Sequence, residues 1–226
     1  MTSYIEPLAQ ESTPSIIADK LRKAIGHGEL KPGAQLGEAD LARKLGVSRG
    51  PLREGMQRLT QEGLLVSIRN RGLFVTDMTP DDIRDMYLAR EAVERAAIQK
   101  ILCGDHASAG TALCAVADRM LAADGDPAAI GDLDIEFHEL LVRLAGSPRL
   151  SRMHQTSIIE TRMCIHALDE SYAKSEVRDT EHRSLANAIR SGDRELTDQL
   201  LTAHMDDAIR RLTDATAVDG VEPVGT

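Results

Sequence analysis

Apolar residues recur at three- and four-residue intervals along most of the 226-residue chain, and one short stretch breaks that rhythm. Ile16, Ile17, Leu21, Ala24 and Ile25 mark a first helix over Ser15–Gly26. Gly26 and Gly28 stop it, and Lys31-Pro32-Gly33 makes a turn. A second helix, Gly37–Leu45, turns Ala39, Leu41, Ala42 and Leu45 to a core. Gly46 interrupts, and Ser48 is the N-cap of a third helix, Arg49–Glu62, with Pro51 in its first turn and Gly63 closing it. Beyond Gly63 the period changes. Leu64–Ile68 and Leu73–Thr76 predict two short strands around Arg69-Asn70-Arg71-Gly72.

Three helices followed by a hairpin with a basic tip is the order of a winged helix-turn-helix. Thr79-Pro80-Asp81-Asp82 then supplies an N-cap, a first-turn proline and acids facing the helix's positive end. From there the pattern is helical: Pro80–Cys103, Ser108–Ala123, Pro127–Ala145, Pro148–Leu168, Ser175–Ser191 and Arg194–Ala217, with breaks at Gly104, Gly125, Gly146 and Gly192. Connections of two to six residues predict that neighbouring helices pack antiparallel. The expected fold is mainly α: an N-terminal winged helix-turn-helix with a small β-hairpin, then an all-α antiparallel helical bundle. The expected organisation is a tail at 1–12, the winged unit at 13–78, the bundle at 79–217 and a tail at 218–226.

Composition narrows this picture. Aromatics are 2% and Trp is absent, so the cores must be aliphatic. No apolar run approaches the roughly 18 residues a membrane span needs, and no basic-then-apolar start suggests a secretory signal. Cys103, Cys114 and Cys164 are odd in number and scattered, which suits reduced thiols and a cytoplasmic location. The net charge of −9 divides unevenly: residues 1–78 carry 11 Lys/Arg against 9 Asp/Glu, and residues 79–226 carry 16 against 27. The acidic second part disfavours nucleic acid and leaves the first as the candidate.

Candidate chemistry in that first part lies at the third helix. Its N-terminus carries Ser48 and Arg49, where amides and a hydroxyl can hold a phosphate, and Arg49 and Arg53 share a face one turn apart. Either arginine could read guanine or clamp the backbone. In the wing, Arg69 and Arg71 flank the tip and Gly72 lets backbone approach a minor groove. Arginines at i and i+4 are more often a solvated helix face, so the pair alone carries little. The ordered pattern Leu41-x3-Leu45-Gly46-Val47-Ser48-Arg49-x-Pro51-Leu52-Arg53-Glu54-x4-Leu59-x2-Glu62-Gly63-Leu64 carries more. Over residues 13–76 it resembles the winged-helix domain of the GntR family of bacterial regulators. That resemblance implies double-stranded operator DNA as partner, with Ser48, Arg49, Pro51, Arg53, Arg69, Arg71 and Gly72 at the interface. Two positions depart from the family pattern: Gly50 stands where Thr is common, and Gly55 where Ala is usual, the latter costing about 1 kcal/mol in a helix interior.

In the second part Asp134 and His138 are i, i+4 on one helix face, His182 follows Glu181 on a later helix, and His204 lies on the last. Three histidines and a carboxylate suit Zn²⁺, and also Ni²⁺, Mn²⁺ or Fe²⁺. Such residues are also commonly plain buried polar groups. His27, His106, His154 and His166 have no partner at ligand spacing. Over residues 79–217 the chain resembles the FCD effector-binding domain of the FadR-type branch of the same regulators. This implies that Asp134, His138, His182 and His204 hold a divalent metal, zinc first among the candidates, with a small carboxylate beside it. Arg90 and Arg162 are the candidate cations for that carboxylate, or each is half of a structural ion pair.

A reader of paired half-sites is expected to be a homodimer. The expected function is a transcription repressor whose operator affinity the carboxylate changes. Alternatives are a regulator with the ion itself as signal and a metalloenzyme at the same helical site. The chain has no nucleophile elbow or phosphate loop, and an enzyme has no use for a winged unit, so the expectation is a non-enzyme.

Overall fold

The computed structural model describes residues 12–123, 126–167 and 176–218, so the expected tails fall largely outside the described residues. The chain divides into two compact units, Met1–Asp77 and Met78–Thr226.

The first unit holds α1 (Thr13–Gly26), β1 (Gln35–Leu36), α2 (Glu38–Leu45), α3 (Arg49–Gln61), β2 (Leu65–Ile68) and β3 (Gly72–Val75). Ser12 caps α1, and its Ile17, Ala18, Leu21 and Ile25 are buried with Leu52, Met56 and Leu59 of α3. The α1–α3 approach explains Gly55. A Cβ there would lie 2.9 Å from Ile17 Cγ2 and 3.1 Å from the Pro14 carbonyl oxygen, so the usual Ala would crowd α1. Arg22 then ties the two helices at their far ends, donating from Nε and Nη2 to both Glu62 carboxylate oxygens at 3.0 and 2.8 Å.

The sheet is three-stranded and antiparallel in the order β1-β3-β2, with Gln35 opposite Phe74 and Val66 opposite Phe74 on the other side. The periodicity predicts only the hairpin. Two residues are too few to show a period, and β1 forms because β3 has an open edge. The Val75 amide donates to the Ala34 carbonyl at 2.9 Å and the Gly33 amide to the Val75 carbonyl at 3.1 Å. At the hairpin tip Asn70 (φ 63°) and Gly72 (φ 109°) take left-handed conformations that reverse the chain.

The second unit contains α4 (Pro80–Leu102), α5 (His106–Ala122), α6 (Pro127–Leu144), α7 (Pro148–Ala167), α8 (Glu176–Ser191) and α9 (Arg194–Val218), with no strand among its described residues. No described helix is long and apolar enough to cross a membrane. Thr79 and Asp82 form a reciprocal capping box at the start of α4. Helix α4 packs against α6, α7 and α9 around Ile83, Ala97, Phe137, Leu141 and Leu212.

Chain neighbours are not always the packing neighbours. Helix α5 meets α4 only marginally, and its main partner is α8, antiparallel to it through Gly110–Arg190, Cys114–Asn187 and Asp118–Arg183. Small residues in His106-Ala107-Ser108-Ala109-Gly110 permit that approach. A Cβ on Gly110 would stand 2.4 Å from the Arg190 Cα, where backbone cannot step aside. Gly110→Ala should therefore destabilise by about 1–3 kcal/mol through overpacking, although Ala is the better helix former. A thermal melt reads the sign directly; a raised midpoint would refute the close approach.

Candidate functional site

Ser48 sits at the N-cap of α3 with its backbone extended, and its hydroxyl makes no bond to its own helix. Ser48, Arg49 and Arg53 are all exposed. Arg53 donates from Nε to Glu38 of α2 at 2.8 Å, which pins the inner edge of the guanidinium while the side chain stays exposed. Glu38 carried no signal in the sequence beyond its place in the first turn of α2. In the wing, Arg69 and Arg71 are exposed, and the Arg71 guanidinium lies 5.5 Å from the centre of the Phe74 ring. The Gln35 side-chain amide donates to the Arg71 carbonyl at 2.6 Å, so the short strand β1 also braces the wing tip.

In the helical unit Asp134 and His138 of α6, His182 of α8 and His204 of α9 converge, all buried, with one donor atom from each within 4.8 Å of the others. The Nε2 atoms of His138 and His204 are 3.1 Å apart, those of His182 and His138 are 3.3 Å apart, and His182 Nε2 is 3.2 Å from Asp134 Oδ1. An ion with bonds of about 2.0–2.2 Å spaces its ligands by roughly 3–3.5 Å, and these three contacts fall in that range. Outer carboxylates fix two of the rings. His138 Nδ1 donates to Glu94 at 2.8 Å and His204 Nδ1 to Glu181 at 3.3 Å, so both Nε2 lone pairs turn to the common centre. Phe137 packs edge-on against His138 and His182 and excludes water from that side.

Burial, followed by the Arg90 charge, lowers His138 to about 3, and burial with the neighbouring His182 lowers His204 to about 3. Both rings are therefore neutral and ligand-competent at neutral pH. Burial opposes ionisation of Asp134, yet the His182 hydrogen bond, together with the neighbouring His182 and His138 rings and Arg90, holds it well below the usual carboxylate range.

Glu94 is the hub behind this cluster. It is fully buried and accepts from Arg90 Nε at 2.7 Å, His138 Nδ1 at 2.8 Å and His154 Nε2 at 3.0 Å. Arg90 also donates from Nη1 to Thr161 at 3.2 Å, while its Nη2 has no partner among the described residues. Tyr87 lies over the guanidinium at 5.1 Å. Arg162 is paired with Asp132 near the α6–α7 surface. His154, which sequence spacing sets aside, is part of the buried network after all: its partner Glu94 lies 60 positions away, where spacing rules cannot reach. His106 meets the Arg190 carbonyl at 3.2 Å, and the His166 side chain lies outside the described residues.

A winged helix-turn-helix with an exposed basic reading helix, joined in one chain to an all-helical unit with a closed polar centre, defines a DNA-binding transcription regulator of the sensing type. The comparisons agree. The bacterial regulatory proteins of the gntR family match residues 15–75, and the FCD domain matches residues 85–207. The chain belongs to the GntR family, in its FCD-containing group, whose members are regulators and not enzymes. It is similar to the HTH-type regulator YdhC of Bacillus subtilis (strain 168), 27% identical over 82% of this chain and 84% of that protein. It is also similar to the galactonate operon transcriptional repressor of Escherichia coli (strain K12), 27% identical over 87% and 95%. Among solved structures, a GntR transcriptional regulator from Rhodococcus sp. RHA1 is 30% identical, with a TM-score of 0.77 over 94% of this chain and all of that one.

The lowered His138 and His204 values make a prediction for metal-free protein. Because the folded rings bind protons less readily than unfolded ones, the stability they confer is complete above the unfolded value of about 6.5 and declines as pH falls toward 3. Chemical denaturation of chelator-treated protein at stepped pH should show that decline, and a His138→Gln, His204→Gln variant should show a flatter profile. Equal slopes would contradict the burial of neutral rings.

Proposed function

We propose that the chain is a homodimeric repressor whose helical unit holds a divalent metal through Asp134, His138, His182 and His204 and takes a small carboxylate beside it on Arg90. The observation that carries this reading is the buried convergence of those four donors next to a guanidinium with one unpartnered terminal nitrogen. The metal would polarise and orient a carboxylate oxygen, with zinc the first candidate. Arg90 is the better cation of the two, because an effector on Arg162 would have to displace Asp132. Two relatives are named for galactonate and gluconate operons, and both words denote sugar acids with one carboxylate, the class to screen first.

The cleft reaching Asp134 and His204, with Tyr87 and Arg211 in its lining, holds about 10 Å³. That is room for about one water. A sugar acid must therefore push side chains of α8 or α9 aside, and this difference between empty and filled states is what could change how a dimer presents its two reading heads. The same small volume favours a second reading, in which the ion alone is the signal. Operator DNA would be gripped by Ser48, Arg49, Pro51 and Arg53 in the major groove and by Arg69, Arg71 and Gly72 at the wing.

Two measurements test this. Purified protein should contain about one divalent ion per chain, lost in an Asp134→Ala, His138→Ala variant; absence of metal after reconstitution refutes the site. Gluconate should then weaken binding to a selected operator by about 5–150-fold only in metal-loaded protein, and Arg90→Met should abolish the response. If metal alone moves operator affinity and no carboxylate does, the ion is the signal. For the reading head, Arg49→Ala and Arg53→Ala should each cost about 1–3 kcal/mol of operator binding. A shallower salt dependence would assign that arginine to phosphate, and relaxed sequence preference to a base.

A further inference from the structure

We propose that the groove between α6 and α7 is a second ligand site, for a small organic or inorganic oxyanion. The groove holds about 310 Å³ and is lined by Val142, Arg143, Arg152, His154, Gln155 and Ile158. It gathers two of the unit's unpaired arginines. Arg84, Arg95, Arg119, Arg162, Arg183 and Arg210 each pair with a carboxylate, as expected where acids outnumber bases. Arg143 and Arg152, like Arg149, Arg190 and Arg194, pair with no carboxylate among the described residues, and no Asp or Glu occurs between Glu139 and Glu160. Two exposed guanidiniums flank a floor of buried Val142 and Ile158, so the groove offers forks for an anionic head and apolar contact for a short body. Glu139 stands at the rim and disfavours a second anionic group there.

The wall of this groove also points inward. His154 is 3% exposed, lines the groove, and uses Nε2 to donate to Glu94, while its Nδ1 has no partner among the described residues. An oxyanion on Arg143 and Arg152 therefore reaches the ring whose other nitrogen holds the Glu94 hub, and Glu94 in turn holds His138 and Arg90. Occupancy of the groove adjusts the first site through that chain. This relay rests on the metal reading above; the groove site itself does not.

The experiment uses metal-free full-length protein titrated with sodium sulfate and inorganic phosphate, following the His154 ring by heteronuclear NMR, with its signals assigned by loss in His154→Gln. A saturable shift is expected, weakened about tenfold or more in an Arg143→Ala, Arg152→Ala variant whose thermal midpoint is unchanged. A linear, unsaturable shift that persists in the variant would mean ionic screening alone and overturns the site. Loss of operator affinity by the variant without added anion would make the surface a DNA contact, and a change of oligomeric state would make it an interface between copies; either overturns the proposal. In the metal-loaded protein, sulfate should change metal affinity in the wild type and not in His154→Gln. Anion binding with no such change removes the relay and leaves the metal reading standing.

Discussion

Removing a carboxylate from water costs several kcal/mol unless surrounding groups replace its hydration, and Glu94 has no solvent contact. Burial opposes its charge, and His138, Arg90 and His154 together outweigh that and hold it ionised. The rest of the helical unit is organised around this requirement. Three helices must supply the partners, so α4, α6 and α7 are fixed in register by polar contacts that apolar packing alone would leave free to slide. Arg90 is in turn a buried cation that would be untenable without Glu94. Deleting either partner would leave the other charged and alone, a loss of about 3–5 kcal/mol in comparable buried pairs.

The same constraint shapes the candidate metal centre. Glu94 and Glu181 each take the Nδ1 proton of a ring, so His138 and His204 present lone pairs inward before any ion arrives. With both Nδ1 atoms committed to carboxylates, the Nε2 lone pairs of His138 and His204 face each other at 3.1 Å with no proton between them, a contact that a cation would relieve. The winged unit meets a different demand. Its exposed arginines, the proposed DNA contacts, are engaged only in part: Glu38 holds Arg53 by its inner nitrogen, and Gln35 holds Arg71 by its carbonyl.

How much of this was legible depends on the range of each interaction. Helix α1 and the capping box at Thr79 were readable because period and cap chemistry are local. The pair Asp134 and His138 was visible for the same reason, one helical turn apart. His182 and His204 could be grouped with them only through family resemblance, because nothing local says which faces of α8 and α9 turn to α6. His154 carries no local signal because its partner Glu94 sits on α4. Strand β1 was invisible because an edge, not a pattern, creates it. Gly55 was misjudged in sign: as a helix residue it is a weakness, and against Ile17 it is the condition for packing.

The contrast between the two units bears on how sensing could act. A reading head must recognise a fixed duplex, so its residues are held by local braces that need not change. A sensing centre must prefer one arrangement empty and another filled, and the cleft at Asp134 and His204 has room for about one water. Filling it therefore requires displacement of packed side chains, and packed interiors resist gradual deformation. The buried polar network raises that resistance, since a half-satisfied network is costly and the fully satisfied arrangements are few. In the function proposed above, a small carboxylate that replaced one set of partners on Arg90 with another would select between discrete packings of α4, α8 and α9. The charge buried at Glu94 is what makes those packings discrete.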